Sequence, residues 1–198
     1  MQHRSGLIVL AVTSVAVTGA IAAEPDRPAL TVLLGLPVAV DGRWDGGSLS
    51  GSAGFDRPLS ARLAAVFIAG AARGIAVDLP HEEAEANSTY LVAGLRATAH
   101  PEDTTRLYLL AALGLLRADL REQVSGYPLP ETLLVRSSST GTTALFAAGA
   151  IAAIPRSRCS VVLEASYLVP WTSAPGHVGG KVPSPLLATA GLRIALGR

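Results

Sequence analysis

Eight apolar runs, none long enough to cross a bilayer as a helix, limit what this chain can fold into more than any other feature. They are Ala29–Val40, Ser48–Phe55, Ala61–Ala72, Thr89–Ala99, Arg106–Ala118, Thr142–Ile154, Arg158–Val169 and Leu186–Leu196. Most match the about 9–11 residues that a tilted strand needs to span a membrane, whereas a helix needs about 20. Apolar residues make up 49% of the 198 and charged residues 16%, against roughly 25% charged in soluble proteins. A lipid surround follows. No water satisfies peptide groups there, so a sheet crosses only when its two edges pair with each other.

Alternate residues on a strand face opposite sides, and four runs pass that check cleanly. Leu91, Ala93, Leu95 and Ala97 share one face, while Tyr90, Val92, Gly94, Arg96 and Thr98 share the other. Val161, Leu163, Ala165 and Tyr167 oppose Ser160, Val162, Glu164 and Ser166. Near the end, Ala188, Ala190, Leu192, Ile194 and Leu196 oppose Leu187, Thr189, Gly191 and Arg193. Ser48, Ser50 and Ser52 oppose Leu49, Gly51, Ala53 and Phe55. Other runs sort less well. Ala61–Ala72 and Thr142–Ile154 are apolar on both faces, and Leu110 and Leu116 share the side of Tyr108, a pattern that also suits the core of a soluble sheet. Pro37 lacks a backbone donor and belongs near a strand end or a bulge.

The connections alternate in length. Asp56–Ser60, Pro101–Thr105 and Pro155–Ser157 are tight, whereas Gly74–Ser88, Leu120–Gly141 and Trp171–Pro185 are longer and polar. Asp41–Gly47 is short and rich in glycine. Short periplasmic turns and longer outer loops are the pattern of outer-membrane barrels, which places both termini of the barrel on the periplasmic side. Upstream, His3 and Arg4, the apolar Leu7–Val17 and the small residues Ala20 and Ala22 read as a helical signal peptide over residues 1–22. Residues 23–198 are then the barrel domain. Cys159 stands alone, which excludes an internal disulfide or a cysteine-based metal cluster. A net charge of +1 gives no nucleic-acid footprint.

Three stretches carry a family likeness. AGFDRPLSARLAAVFIAGAARG (Ala53–Gly74) resembles a strand–turn–strand unit, TYLVAGLRATAHPEDTTRLYLLAALGLL resembles the next hairpin, and LLATAGLRIALGR resembles a closing strand. Together they resemble the OmpA/OmpX-like family of small outer-membrane β-barrels, over most of the mature chain. The resemblance implies an all-β fold of eight antiparallel transmembrane strands, insertion by the barrel assembly machinery and a location in the outer membrane. The family commonly ends on an aromatic residue, and this chain ends Gly197-Arg198. That departure bears on assembly, not on the fold.

A barrel of eight strands has room inside for side chains or at most one small ligand. The alternation assigns Arg62, Arg96, Glu164 and Arg193 to the lumen, with Tyr90, Tyr108, Thr98, Ser160 and Thr189 beside them. A buried charge without a partner costs several kcal/mol, so ion pairs that plug the barrel are expected among these residues. Trp44 and Trp171 suit the aromatic girdle at a membrane interface. His81, His100 and His177 fall in loops or beside a turn, and no G-x-S-x-G elbow occurs, so no catalytic, cofactor or metal-binding residue is assigned. The leading expectation is a monomeric outer-membrane barrel with a structural or surface-binding role. Its partners are membrane lipid and an unidentified extracellular ligand. One rival is a lipid-modifying enzyme on the same barrel, taking an acyl chain between Val66, Ile68, Leu110 and Leu116. The other is a helical polytopic protein built around Ala61–Val77.

Overall fold

Each apolar run becomes a strand that pairs antiparallel with the next in chain order, and the last pairs back onto the first. The computed structural model describes residues 27–38, 48–79, 82–124, 133–171 and 184–196. The expected signal peptide, Trp44, His81 and His177 lie outside them. The strands are β1 (Ala29–Val38), β2 (Leu49–Pro58), β3 (Leu63–Leu79), β4 (Glu82–Thr98), β5 (Thr105–Val124), β6 (Leu133–Ala153), β7 (Cys159–Pro170) and β8 (Leu186–Ala195). They form a closed barrel. Its seam runs from Ala29↔Ala195 to Val38↔Leu186, so neither terminal strand is left with a bare edge along that length. Pro37 lies past the last β1–β2 pair, Gly35↔Ser50. The ladder on that side has already ended where its missing donor falls.

Among the described residues no helix is long and apolar enough to cross a membrane. The stretch Ala61–Val77, the core of the helical alternative, is strand β3 with the turn before it.

Three tight turns close one end of the barrel. Before β3, the Leu63 amide donates to Ser60 Oγ at 3.2 Å while the Leu59 amide donates to the Leu63 carbonyl at 2.8 Å. Before β7, Ser157 Oγ accepts from the Cys159 amide at 3.0 Å, and Arg156 takes φ 60°. The turn before β5 holds His100 at φ 48°, whose carbonyl accepts from the Asp103 amide at 3.1 Å. One expected boundary moves. Asp56, expected in the first turn, lies within β2, and the turn occupies residues 59–62.

At the other end β3 to β6 outrun their apolar stretches. They reach 17, 17, 20 and 21 residues, against 10 to 12 in β1, β2, β7 and β8. The expected loops Gly74–Ser88 and Leu120–Gly141 are therefore mostly strand. The backbones there still ladder, from Ile75↔Ala86 to Leu79↔Glu82 and on to Val124↔Leu133. A bulge between Ala72 and Ile75 marks where β3 leaves the barrel wall. Gly74 turns there with φ 70°, and its amide donates to Asn87 Oδ1 at 3.1 Å.

The two faces separate. Leu34, Leu91, Leu107, Leu109 and Leu113 point outward and are all about three-fifths exposed, while Val66, Val92, Leu116, Leu145, Leu168 and Leu187 fill the interior. On β5 the outward apolar positions run from Leu107 to Leu115, between exposed Thr105 and Arg117. Nine residues rise roughly 30 Å along a strand, or about 23 Å along the axis at a tilt near 40°, close to the height of a membrane-spanning band. The runs that were apolar on both faces now sort as well: Phe67 and Phe146 face out, Val66 and Leu145 in.

Glycines set the curl of the wall. A Cβ on Gly35 or Gly191 would overlap backbone across the β1–β8 seam, and one on Gly94 or Gly114 would do so across β4–β5. Those seams lie on opposite sides of the ring. Two further glycines face tyrosines directly: Gly70 pairs with Tyr90 and Gly149 with Tyr108. Each ring lies where a glycine Cβ would stand.

Candidate functional site

Asp56 lies in the inward row of β2, after Ser50, Ser52 and Gly54 at every second residue. Its carboxylate is buried and takes two arginines on one oxygen. Arg96 Nη1 of β4 donates to Asp56 Oδ2 at 2.7 Å, and Arg193 Nε of β8 donates to the same atom at 3.0 Å. The guanidinium carbon of Arg96 lies 5.6 Å from the centre of the Tyr108 ring, within cation–π range. Tyr108 of β5 donates its hydroxyl to Glu164 Oε2 of β7 at 2.6 Å, and Thr189 Oγ1 donates to the Glu164 carbonyl at 3.3 Å. The chain Arg193–Asp56–Arg96–Tyr108–Glu164 thus links five strands across the lumen, all near the turn end.

Arg96, Arg193 and Glu164 face the lumen, as do buried Tyr90, Tyr108, Ser160 and Thr189 and half-buried Thr98. Arg62 does not join them. It is exposed in the turn before β3, because that turn begins later than the sequence suggested. Its carbonyl accepts from the Thr98 amide at 2.8 Å. The pairing differs too. Among the described residues no arginine forms an ion pair with Glu164, and the hydroxyl of Tyr108 satisfies it instead. The arginines go to Asp56.

Two residues of this floor escaped the sequence reading, Asp56 and Arg106. Arg106 is buried at the start of β5, two residues before Tyr108 on the same face. Two more steps of the Ser48–Ser52 alternation, and one step back from Tyr108, place both inside.

Above the floor the interior is largely apolar, with Ser50, Ser88, Thr143 and Ser166 buried among aliphatic side chains. Val66, Leu116 and Leu168 are each 1% exposed, so no space for an acyl chain lies beside them. On the outer wall Trp171 is exposed at the end opposite the turns, with Tyr167 on the same face of β7, and the Trp171 amide donates to the Thr142 carbonyl at 2.9 Å.

No protein-family model matches the chain, and no curated protein matches it. Solved structures do. Neisserial surface protein A is 15% identical, with a TM-score of 0.51 over 85% of this chain and 96% of that one. The N-terminal β-barrel domain of Pseudomonas aeruginosa OprF is 10% identical, with a TM-score of 0.48 over 86% and 98%. The attachment invasion locus protein Ail of Yersinia pestis is 12% identical, with a TM-score of 0.47 over 85% and 97%. The likeness to the neisserial protein extends to the fold, which here is a closed eight-stranded antiparallel barrel.

Proposed function

We propose that this protein is an outer-membrane barrel with a structural and surface-binding role, whose lumen is closed by its own side chains. What carries the reading is the sorting of the wall. Exposed leucines cover a band about as tall as a hydrocarbon core, while the interior is filled by apolar residues above an ion-paired floor. In water, that outer surface would be an apolar patch far beyond what a soluble monomer carries. In lipid it is solvated. The signal peptide over residues 1–22 would export the chain, and the barrel assembly machinery would insert it. The turns then face the periplasm, and the extended β3–β6 strands carry the loops outward to an extracellular ligand. The filled interior weighs against the lipid-modifying alternative, which needs a slot for an acyl chain.

Epitope tags test both location and orientation. One is inserted among residues 125–132 and another in the turn between Glu102 and Asp103. The first should be labelled on intact cells and the second only after the outer membrane is opened. The reverse pattern, or a tagged protein recovered in the soluble periplasmic fraction, would overturn the reading.

A further inference from the structure

The turn-end floor holds more positive charge than its carboxylate answers. A pocket of about 20 Å³ opens there, lined by Asp56, Ser60, Thr98 and the arginines Arg62, Arg96, Arg106 and Arg193, among others. Arg62 lies exposed at the rim, so three lumenal guanidinium groups, those of Arg96, Arg106 and Arg193, meet one carboxylate in this pocket. Glu164 stands apart from this pocket, held by Tyr108. Arg106 is 5% exposed, and its Nε has no hydrogen-bond partner. The Nε of Arg96 is likewise buried and unpartnered, because that arginine meets Asp56 through Nη1. A buried donor left unmade is costly, and more so when it carries charge.

We propose that this pocket is a binding site for a small monovalent inorganic anion of halide size. The pocket is small, about 20 Å³, and a single-atom anion needs none of the further donors that the four oxygens of a phosphate or sulfate would ask for. A water molecule would satisfy one donor and leave the charge excess in place. A halide does both: it accepts from several N–H groups at once and neutralises one guanidinium in a region shielded from bulk solvent. Arg106 and Arg96 supply the donors, Arg193 adds charge from β8, and the Ser60 turn with Arg62 forms the rim. The ion completes the floor by tying β5 to strands that Asp56 already links.

The test follows thermal unfolding of the full-length mature barrel in a zwitterionic detergent, with sodium chloride, bromide or gluconate added at matched ionic strength. Chloride and bromide should give a saturating rise of roughly 3–5 °C once they stand about tenfold above their dissociation constant. Gluconate, too large for the pocket, should give none. Arg106→Met should lose the halide response while keeping the heat-modifiable barrel. An equal response to all three salts overturns the proposal, as does a full response in Arg106→Met. Should that variant not fold, crystals of the unaltered protein grown in bromide decide the matter. An anomalous peak between Arg96, Arg106 and Arg193 supports the site, and its absence overturns it.

Discussion

One oxygen of Asp56 answers for two buried arginines, which makes this side chain the least replaceable of the floor. Asp56→Ala leaves Arg96 and Arg193 uncompensated in a confined lumen, a change expected to cost about 3–5 kcal/mol. Denaturant unfolding in lipid vesicles should show the loss. Arg62→Ala, in the exposed turn, should stay within about 0.5 kcal/mol of the parent. Had the sequence assignment of Arg62 to the lumen been right, the two substitutions would have behaved alike. Glu164→Gln should be mild, about 1 kcal/mol, because its partner is the neutral hydroxyl of Tyr108 and an amide oxygen still accepts from it. A loss as large as that of Asp56→Ala would mean that Glu164 carries an arginine after all. The lumenal set was legible wherever alternation was unbroken, at Arg96, Glu164 and Arg193. It failed at Asp56 because Arg57 and Pro58 made the strand end look like a turn, and at Arg106 because a charged residue opening an apolar run reads as a border.

The tyrosine–glycine pairs explain how strands with so little bulk hold their register. A Cβ on Gly70 would overlap the ring carbons and hydroxyl of Tyr90, and nothing else stands nearer. Gly70→Ala should therefore cost about 1–3 kcal/mol by overpacking, and close to nothing in a Tyr90→Ala background. A double-mutant cycle in denaturant reads the difference, and equal costs in both backgrounds would separate the glycine from the ring. On the opposite face of the wall, Leu109 is 67% exposed near the middle of the apolar band. Leu109→Arg should cost about 2–4 kcal/mol in lipid, which a soluble sheet edge would not show. All eight strands were visible in the sequence because lipid forces each to announce itself by apolar residues. Their outer ends were not. Past Ala72 and Ala118 the chain leaves the hydrocarbon, so nothing selects apolar side chains. The backbone ladder of β3–β6 continues through peptide hydrogen bonds, for which residues such as Glu82 and Glu83 carry no periodic signal.

Closure works at two levels in the assembled barrel. The seam between β1 and β8 removes the sheet edges, and the contents of the lumen remove the pore. Those contents come in two layers: a floor in which Asp56, Arg96, Arg193, Tyr108 and Glu164 cross from wall to wall, and an apolar fill around Val66, Leu116, Leu145 and Leu168. A permeating ion would have to break the first and then enter a tightly packed, largely apolar region, where charge is costly. Either layer alone blocks the path, so opening the floor does not open the protein. The purified barrel in planar bilayers should accordingly show no stepwise conductance, and Asp56→Ala should stay silent too despite its lower stability. Emptying the fill by Leu116→Ala together with Leu145→Ala leaves the floor as the sole barrier, and adding Asp56→Ala to that pair should be the first combination to pass current. Discrete steps from Asp56→Ala alone would show that the apolar layer does not seal and that the ion pairs are the gate.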